Sequence, residues 1–270
     1  MVWSCLVSIL PGMAQTEKLT DYVNPFVGTD GYGNVYPGAQ IPFGGIQISP
    51  DTDSRFYDAA SGYKYNHLTL MGFSLTHLSG TGIPDLGDFL FIPGTGEMKL
   101  EPGTHEDPDQ GYRSRYSHDK EWASPNYYAV ELADYGVKAE MTSGVRSGMF
   151  RFTYPESDNA FIMIDMNHTL WQSCEWSNLR MINDSTITGY KLVKGWGPER
   201  HVYFTATFSK KLTGLRFVQD KKPVIYNTSR FRSSYEAWGK NLMACISFDT
   251  KAGEEVTVKT AISAVSTDGA

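Results

Sequence analysis

Residues 126–166, NYYAVELADYGVKAEMTSGVRSGMFRFTYPESDNAFIMIDM, contain four apolar-rich runs separated by turn residues. Residues 126–131, 137–141, 149–154 and 160–166 are expected as strands. Their aromatic and β-branched side chains suit a pleated, half-buried surface, and no 3.6-residue period runs through them. Asp134-Tyr135-Gly136, Ser143-Gly144 and Pro155-Glu156-Ser157-Asp158 supply the turn chemistry between them. Short strands at this spacing predict an all-β chain, a large antiparallel β-sandwich.

The same reading extends in both directions. Toward the C-terminus, strands are expected over residues 181–187, 190–193, 201–208, 215–219, 243–248 and 255–265, with one or two turns of helix over 171–179. Toward the N-terminus, residues 46–48 read as a strand closed by Ser49-Pro50-Asp51. Residues 68–78 alternate weakly, and 89–92 form a buried-strand run ended by Pro93-Gly94. Glycines and prolines between Gly31 and Gly45 are too dense for a helix. No repeat or linker interrupts the pattern, so residues 15–270 read as one sandwich domain with excursions near 95–125.

Residues 1–14 read as a secretory signal peptide. Residues 2–10 are a short apolar run, Pro11-Gly12 breaks it, and Gly12-Met13-Ala14 suits a signal peptidase. The positive n-region is missing, which reads as a truncated or misassigned start. No other stretch reaches the ~18 apolar residues of a membrane span, so an exported protein without one is expected. At the other end Ser266-Thr267-Asp268-Gly269-Ala270 opens a fresh turn after a strong strand and reads as a chain cut short.

Composition narrows the class. Hydrophobic residues make up 41% and aromatics 13%, with tyrosine the commonest aromatic, enough for a sizeable core and too much for disorder. The net charge of −6 and the scattered Lys and Arg exclude a nucleic-acid partner. Of the three cysteines, Cys5 lies in the leader; Cys174 and Cys245 read equally as one disulfide or two buried thiols.

The segment of densest chemistry is residues 61–88, SGYKYNHLTLMGFSLTHLSGTGIPDLGD. With Asp58 just before it, Ser61, Tyr63, His77, Ser79, Thr81, Asp85 and Asp88 offer hydroxyls, an imidazole and carboxylates among glycines that admit close backbone approach. That mixture suits one wall of a sugar site. His77 alone would read as a core histidine, and Asp85 after Pro84 as a turn former; their concentration favours function. No metal-ligand spacing is present. The glycine-rich loop over residues 28–34 lacks the Lys-Ser/Thr of a phosphate loop and reads as irregular structure. Trp171-Gln172-Ser173-Cys174-Glu175-Trp176 reads as packing on the sandwich. Glu199 has no carboxylate partner for glycoside hydrolysis, and no G-x-S-x-G elbow exists.

Several motifs carry a family resemblance: Tyr22-Val23-Asn24-Pro25-Phe26-Val27-Gly28-Thr29, Tyr36-Pro37-Gly38-Ala39, Pro42-Phe43-Gly44, Ser49-Pro50-Asp51, Ser61-Gly62-Tyr63 and Gly72-Phe73-Ser74-Leu75-Thr76-His77-Leu78-Ser79-Gly80-Thr81-Gly82. Together they resemble the amino-terminal domain of glycoside hydrolase family 92, exported bacterial α-mannosidases. The resemblance implies a sandwich that walls a mannoside cleft and docks a helical (α/α)6 barrel lying beyond Ala270. It also implies inversion by an acid and a base, and calcium whose ligands, like those carboxylates, belong mainly to the barrel; this chain alone would be inactive. A mannose-containing glycan is the implied substrate, and a bacterial periplasmic or extracellular location is implied with it. Tyr57-Asp58 stands where the family usually has Trp-Asp, placing Tyr57 against the leaving-group sugar. Ala60, Lys64 and Asn34 replace a common cysteine and two common histidines, which bears on linkage preference. Two other readings stand beside this one: a free-standing carbohydrate-binding module without catalysis, and a purely structural sandwich.

Overall fold

The computed structural model describes residues 17–54, 57–225 and 235–270, and of Asp58 the backbone alone. The leader expected over residues 1–14 lies outside the described residues. In chain order the strands are β1 (Ser49–Asp51), β2 (Thr69–Leu70), β3 (Gly72–Ser74), β4 (Leu90–Thr95), β5 (Ser114–Arg115), β6 (Glu121–Ser124), β7 (Tyr127–Leu132), β8 (Val137–Ser143) and β9 (Ser147–Tyr154). There follow β10 (Ser157–Asp165), β11 (Ser173–Asn183), β12 (Thr186–Lys194), β13 (Arg200–Phe208), β14 (Gly214–Gln219), β15 (Lys222–Pro223), β16 (Glu236–Gly239), β17 (Leu242–Thr250) and β18 (Glu254–Ser263). Among the described residues there is no α-helix, only short 3-10 turns.

The strands form a two-sheet antiparallel sandwich. One sheet has seven strands in the order β1-β3-β4-β10-β17-β14-β15, the other nine in the order β16-β11-β12-β13-β18-β9-β8-β7-β6, and β2 pairs with β5 apart from both. Alternation builds the core. In β10, Ala160, Ile162 and Ile164 enter the cluster between the sheets, where Phe73, Phe91, Phe150, Phe152 and Phe204 also sit fully buried. Each of these isoleucines and phenylalanines contributes about 1.5–3 kcal/mol on burial. Phe161 and Met163, on the opposite face of β10, join a second apolar cluster with Leu90, Ile92, Tyr112 and Met243. The seven-stranded sheet is therefore apolar on both faces, which explains the unbroken hydrophobic run at 160–164. The excursion expected near 95–125 folds back to cover that outer face through Met98, Leu100 and Tyr112.

Four local expectations are corrected. Residues 171–179 are no helix: from Ser173 onward they belong to β11, held by β12 on one side and β16 on the other. Residues 181–187 span a hairpin turn instead of one strand, because the Asn183 side chain accepts from Ser185 N (2.9 Å) in a local turn. Pro93-Gly94 does not end its strand. Beyond Phe91, β4 pairs only with β10, so the missing N–H of Pro93 costs no ladder bond on the open side; a Cβ on Gly94 would meet the Phe161 ring at 2.4 Å. Finally, Ser49-Pro50-Asp51 is itself the strand, paired with Ser74, Phe73 and Gly72, while Ile48 makes only an isolated bridge to Ala39.

Candidate functional site

Beneath one end of the sandwich lies a buried chain of charges. Asp51, at the end of β1, is fully buried and receives His77 Nε2 on Oδ1 and His168 Nε2 on Oδ2, both at 2.8 Å. Burial pushes the Asp51 carboxyl up, but the two imidazoles override it and hold it well below the usual carboxylate range. The other ring nitrogen of His77 lies 2.7 Å from the Gln47 carbonyl oxygen, so both of its nitrogens face protein acceptors. Gly62 makes this possible: its φ is +87°, and a Cβ there would sit 2.2 Å from Asp51 Oδ1.

The chain continues across the sandwich. Lys191 is an inward-facing residue of β12 with no exposed surface. It donates to the His168 carbonyl (2.6 Å), lies 3.1 Å from Asp88 Oδ1, and places its ammonium 5.3 Å from the Phe89 ring centroid. Asp88 also accepts from Arg200 Nη1 (2.6 Å) and Nη2 (3.2 Å) and from Thr76 Oγ1 (2.7 Å). Burial raises the Asp88 carboxyl; Lys191, Arg200 and the Thr76 hydroxyl outweigh that and hold it well below its ordinary value. Asp85 ties three loops together, accepting from Leu86 N (2.6 Å), Trp196 N (3.2 Å) and Gln172 Nε2.

These anchored loops present aromatic rings to solvent. Tyr57 is 59% exposed, and its ring lies 6.2 Å from that of Trp171, also 59% exposed. Trp171 adopts φ +73°, a left-handed conformation that costs a bulky residue about 1–3 kcal/mol and persists only where its surroundings fix it. Leu170 N donates to Leu86 O (2.9 Å) and Thr169 Oγ1 to Gln172 O (2.8 Å), pinning the loop on both sides.

The sequence-derived candidates therefore separate by environment. Tyr57 is on the exposed rim, and the Asp58 side chain lies outside the described residues. Ser79 is exposed and Thr81 half-buried, with Thr81 Oγ1 donating to Ile83 O at 3.1 Å. Ser61, His77 and Asp85 are buried, as is Tyr63. Tyr63 points elsewhere: its hydroxyl donates to Glu121 (2.9 Å), which also accepts from Tyr128 (2.5 Å) and contacts His118 Nδ1 (2.6 Å). The glycine-rich loop packs through its backbone, Gly80 N donating to Asn34 O and Lys64 Nζ to Gly31 O. His168, Lys191 and Arg200 were missed. His168 has no local signal, and Lys191 looks from its neighbours like any surface lysine on a strand. Cys174 and Cys245 are buried free thiols.

Among the described residues, no group of three or more His, Cys, Asp or Glu is arranged to hold a metal ion. Asp51, Asp85 and Asp88 are each consumed by fixed protein donors, so the calcium implied by the resemblance does not fit among them. Among the described residues, no helix is long and apolar enough to cross a membrane.

A two-sheet antiparallel sandwich whose loops gather an aromatic rim at one end defines a β-sandwich domain with an exposed loop-built site. Residues 22–263 match the model of the glycosyl hydrolase family 92 N-terminal domain, and the chain belongs to that family. It is 30% identical over 139 residues to an uncharacterized secreted glycosidase of Arthroderma benhamiae, a match covering 51% of this chain and 17% of that protein. It resembles the solved GH92 family glycosyl hydrolase ccman5 with a TM-score of 0.74 and 25% identity, over 90% of this chain and 32% of that one. It also shares the fold of a family GH92 inverting mannosidase from Bacteroides thetaiotaomicron VPI-5482, with a TM-score of 0.75 and 24% identity over 94% of this chain and 33% of that one. The chain thus spans about a third of the length of these solved relatives.

Proposed function

We infer that this chain is the sandwich part of an exported α-mannosidase that removes terminal α-mannose from glycans with inversion. The loop end carrying Tyr57 and Trp171 forms one wall of the mannoside cleft and docks a catalytic helical barrel. The observation that carries this reading is the exposed Tyr57–Trp171 pair, held at the loop end of a family 92 sandwich. Aromatic faces with a polar edge suit the alternating C–H and hydroxyl surfaces of a pyranose. Family membership supports glycoside hydrolysis; the mannose preference is drawn from the inverting mannosidase that shares the fold, and export from the secreted relative.

Inverting hydrolysis requires an acid and a base about 6.5–9.5 Å apart. The buried aspartates described above are tied to permanent donors and cannot exchange protons with a substrate. As the family resemblance implies, the acid, the base and the calcium ligands belong mainly to the barrel on this reading, and this chain contributes recognition. The test compares the complete natural polypeptide with the 270-residue chain on terminal α-mannosides, following the first-released anomer by proton NMR. Release of β-mannose by the complete polypeptide and none by the shorter chain is expected. No mannose release by the complete polypeptide would refute the reading, and α-mannose as the first product would refute inversion.

A further inference from the structure

Beside the Tyr57–Trp171 pair, a cleft of about 1010 Å³ opens on the outer face of the seven-stranded sheet. Its floor is Met71, Tyr112 and Met243, from the outer apolar cluster. Its walls come from segments far apart in sequence: Ser54, the loop through His168 and Trp171, the turn at Asp220-Lys221, and Asn241. The volume is at the upper end of the ~300–1,000 Å³ common for ligand sites, large enough for more than one sugar ring.

The charges around this cleft indicate what it accepts. Lys221 is paired with Glu101 (2.5 Å), Lys240 with Glu175 (3.2 Å), and Asp220 accepts from Asn241 Nδ2 (2.7 Å). Each lysine has an acidic neighbour that offsets its charge, and with Asp165 and Asp220 also lining the cleft there is no positive excess to favour an anionic ligand. Among the described residues, Asp165 is held by neutral donors, Asn167 N at 2.8 Å and the Tyr112 hydroxyl at 3.3 Å. A carboxylate has about four lone-pair positions, so Asp165 can accept further hydroxyl groups, and its charge repels an anion. A neutral polyhydroxylated ligand satisfies these constraints. Trp171, fixed in its left-handed conformation at the junction of cleft and rim, adds a stacking face.

We propose that this cleft binds the inner residues of an oligosaccharide whose leaving-group sugar, next to the outermost one, packs at Tyr57, with Trp171 as the stacking face and Asp165 as the hydroxyl acceptor. The direction of the glycan rests on the mannosidase reading; the cleft's affinity for a neutral oligosaccharide does not. Because the cleft adds contacts only to longer ligands, the complete polypeptide should show kcat/KM rising about tenfold or more from a disaccharide to a tetrasaccharide, roughly 1.4 kcal/mol. Trp171→Ala and Ser173→Trp, the latter filling the cleft mouth from an exposed position, should each collapse that ratio toward one, with unchanged melting temperatures confirming the fold. Equal kcat/KM at every length, or a ratio untouched by both variants in folded protein, would overturn the proposal. A separate arm titrates the complete polypeptide calorimetrically with neutral oligosaccharides of several compositions. If no mannoside is hydrolysed but a longer oligosaccharide binds in a Trp171-dependent way, the mannosidase reading falls and the cleft assignment stands. If nothing binds in either arm, the cleft assignment falls.

Discussion

Replacing Asp88 with asparagine tests whether the buried charge chain stabilises the domain as its geometry implies. Asp88 and Lys191 have no exposed side-chain surface, and the Lys191 ammonium has Asp88 as its paired carboxylate at 3.1 Å. Removing that anion strands a buried cation against one carbonyl and one ring face, and breaking such a pair costs about 3–5 kcal/mol. The reverse change, Lys191→Met, is milder. Asp88 keeps both guanidinium bonds of Arg200 and the Thr76 hydroxyl, so the loss is chiefly the donor to the His168 carbonyl, about 1–3 kcal/mol. The double variant Asp88→Leu with Lys191→Met leaves no stranded charge in the core, since Arg200 is partly exposed and can turn to solvent. It should be less destabilised than Asp88→Asn alone.

Urea unfolding at pH 7 measures these differences. For a chain of this size, the Asp88→Asn loss corresponds to a melting shift of about 6–20 °C. The pH dependence adds a second reading. Lys191 and Arg200 depress the folded-state Asp88 carboxyl despite its burial, so its stabilisation is complete above the unfolded-state value of about 4. It shrinks as pH falls below that value and is gone once pH passes the folded value. The gap between wild type and Asp88→Asn should therefore be constant from pH 7 to about 4 and close below it. An Asp88→Asn variant within about 1 kcal/mol of wild type, or less damaged than Lys191→Met, would refute the argument that Lys191 depends on Asp88.

Two further predictions use other buried features. Glu121→Ala leaves the hydroxyls of Tyr63 and Tyr128 buried without their acceptor, and unfolding experiments should show a loss of about 2–5 kcal/mol, with Glu121→Gln losing less. Gly38→Ala places a Cβ 2.1 Å from the Ile48 carbonyl oxygen and 2.5 Å from Ser49 Cα, backbone that cannot step aside. It should cost about 1–3 kcal/mol in the same assay, and an unaltered urea midpoint would show that this close approach is relieved.

The strands at 149–154 and 160–166 were legible because their pattern is local. Alternating residues meet core and surface in β9, and β10 is apolar on both faces. Residues 171–179 were not legible, because a bulge next to Cys174 breaks the alternation, turning Ser177 and Leu179 inward and Trp176 outward, and because one of the two strands that hold β11, β16, is distant in sequence. The motif glycines are a middle case. Gly62 was noticed as a residue that admits close approach, and the structure shows what approaches: the Asp51 carboxylate and the His77 ring. Sequence cannot distinguish a polar side chain that bonds a ligand from one that bonds its own backbone, since both need donors, acceptors and clearance. Tyr57 stood out only through its place in the family motif. Trp171 carried no sign of its exposure or its left-handed backbone.

The buried charges and the exposed aromatics are linked through the same loops. His168 bonds Asp51 through its ring and accepts from Lys191 through its carbonyl, three residues before Trp171. Asp85 bonds Gln172, one residue after it. A hydrophobic replacement could fill this volume at comparable stability, but it would impose no direction on the 167–172 loop. Directional bonds from both sides hold Trp171 in a conformation that an unconstrained chain would leave, opposite a Tyr57 carried by the segment that follows Asp51. Within the polar segment of residues 61–88, His77, Asp85 and Asp88 thus act with Asp51 and His168 outside it to set the loop positions, and the rings left exposed at the rim, Tyr57 and Trp171, also belong to neighbouring segments.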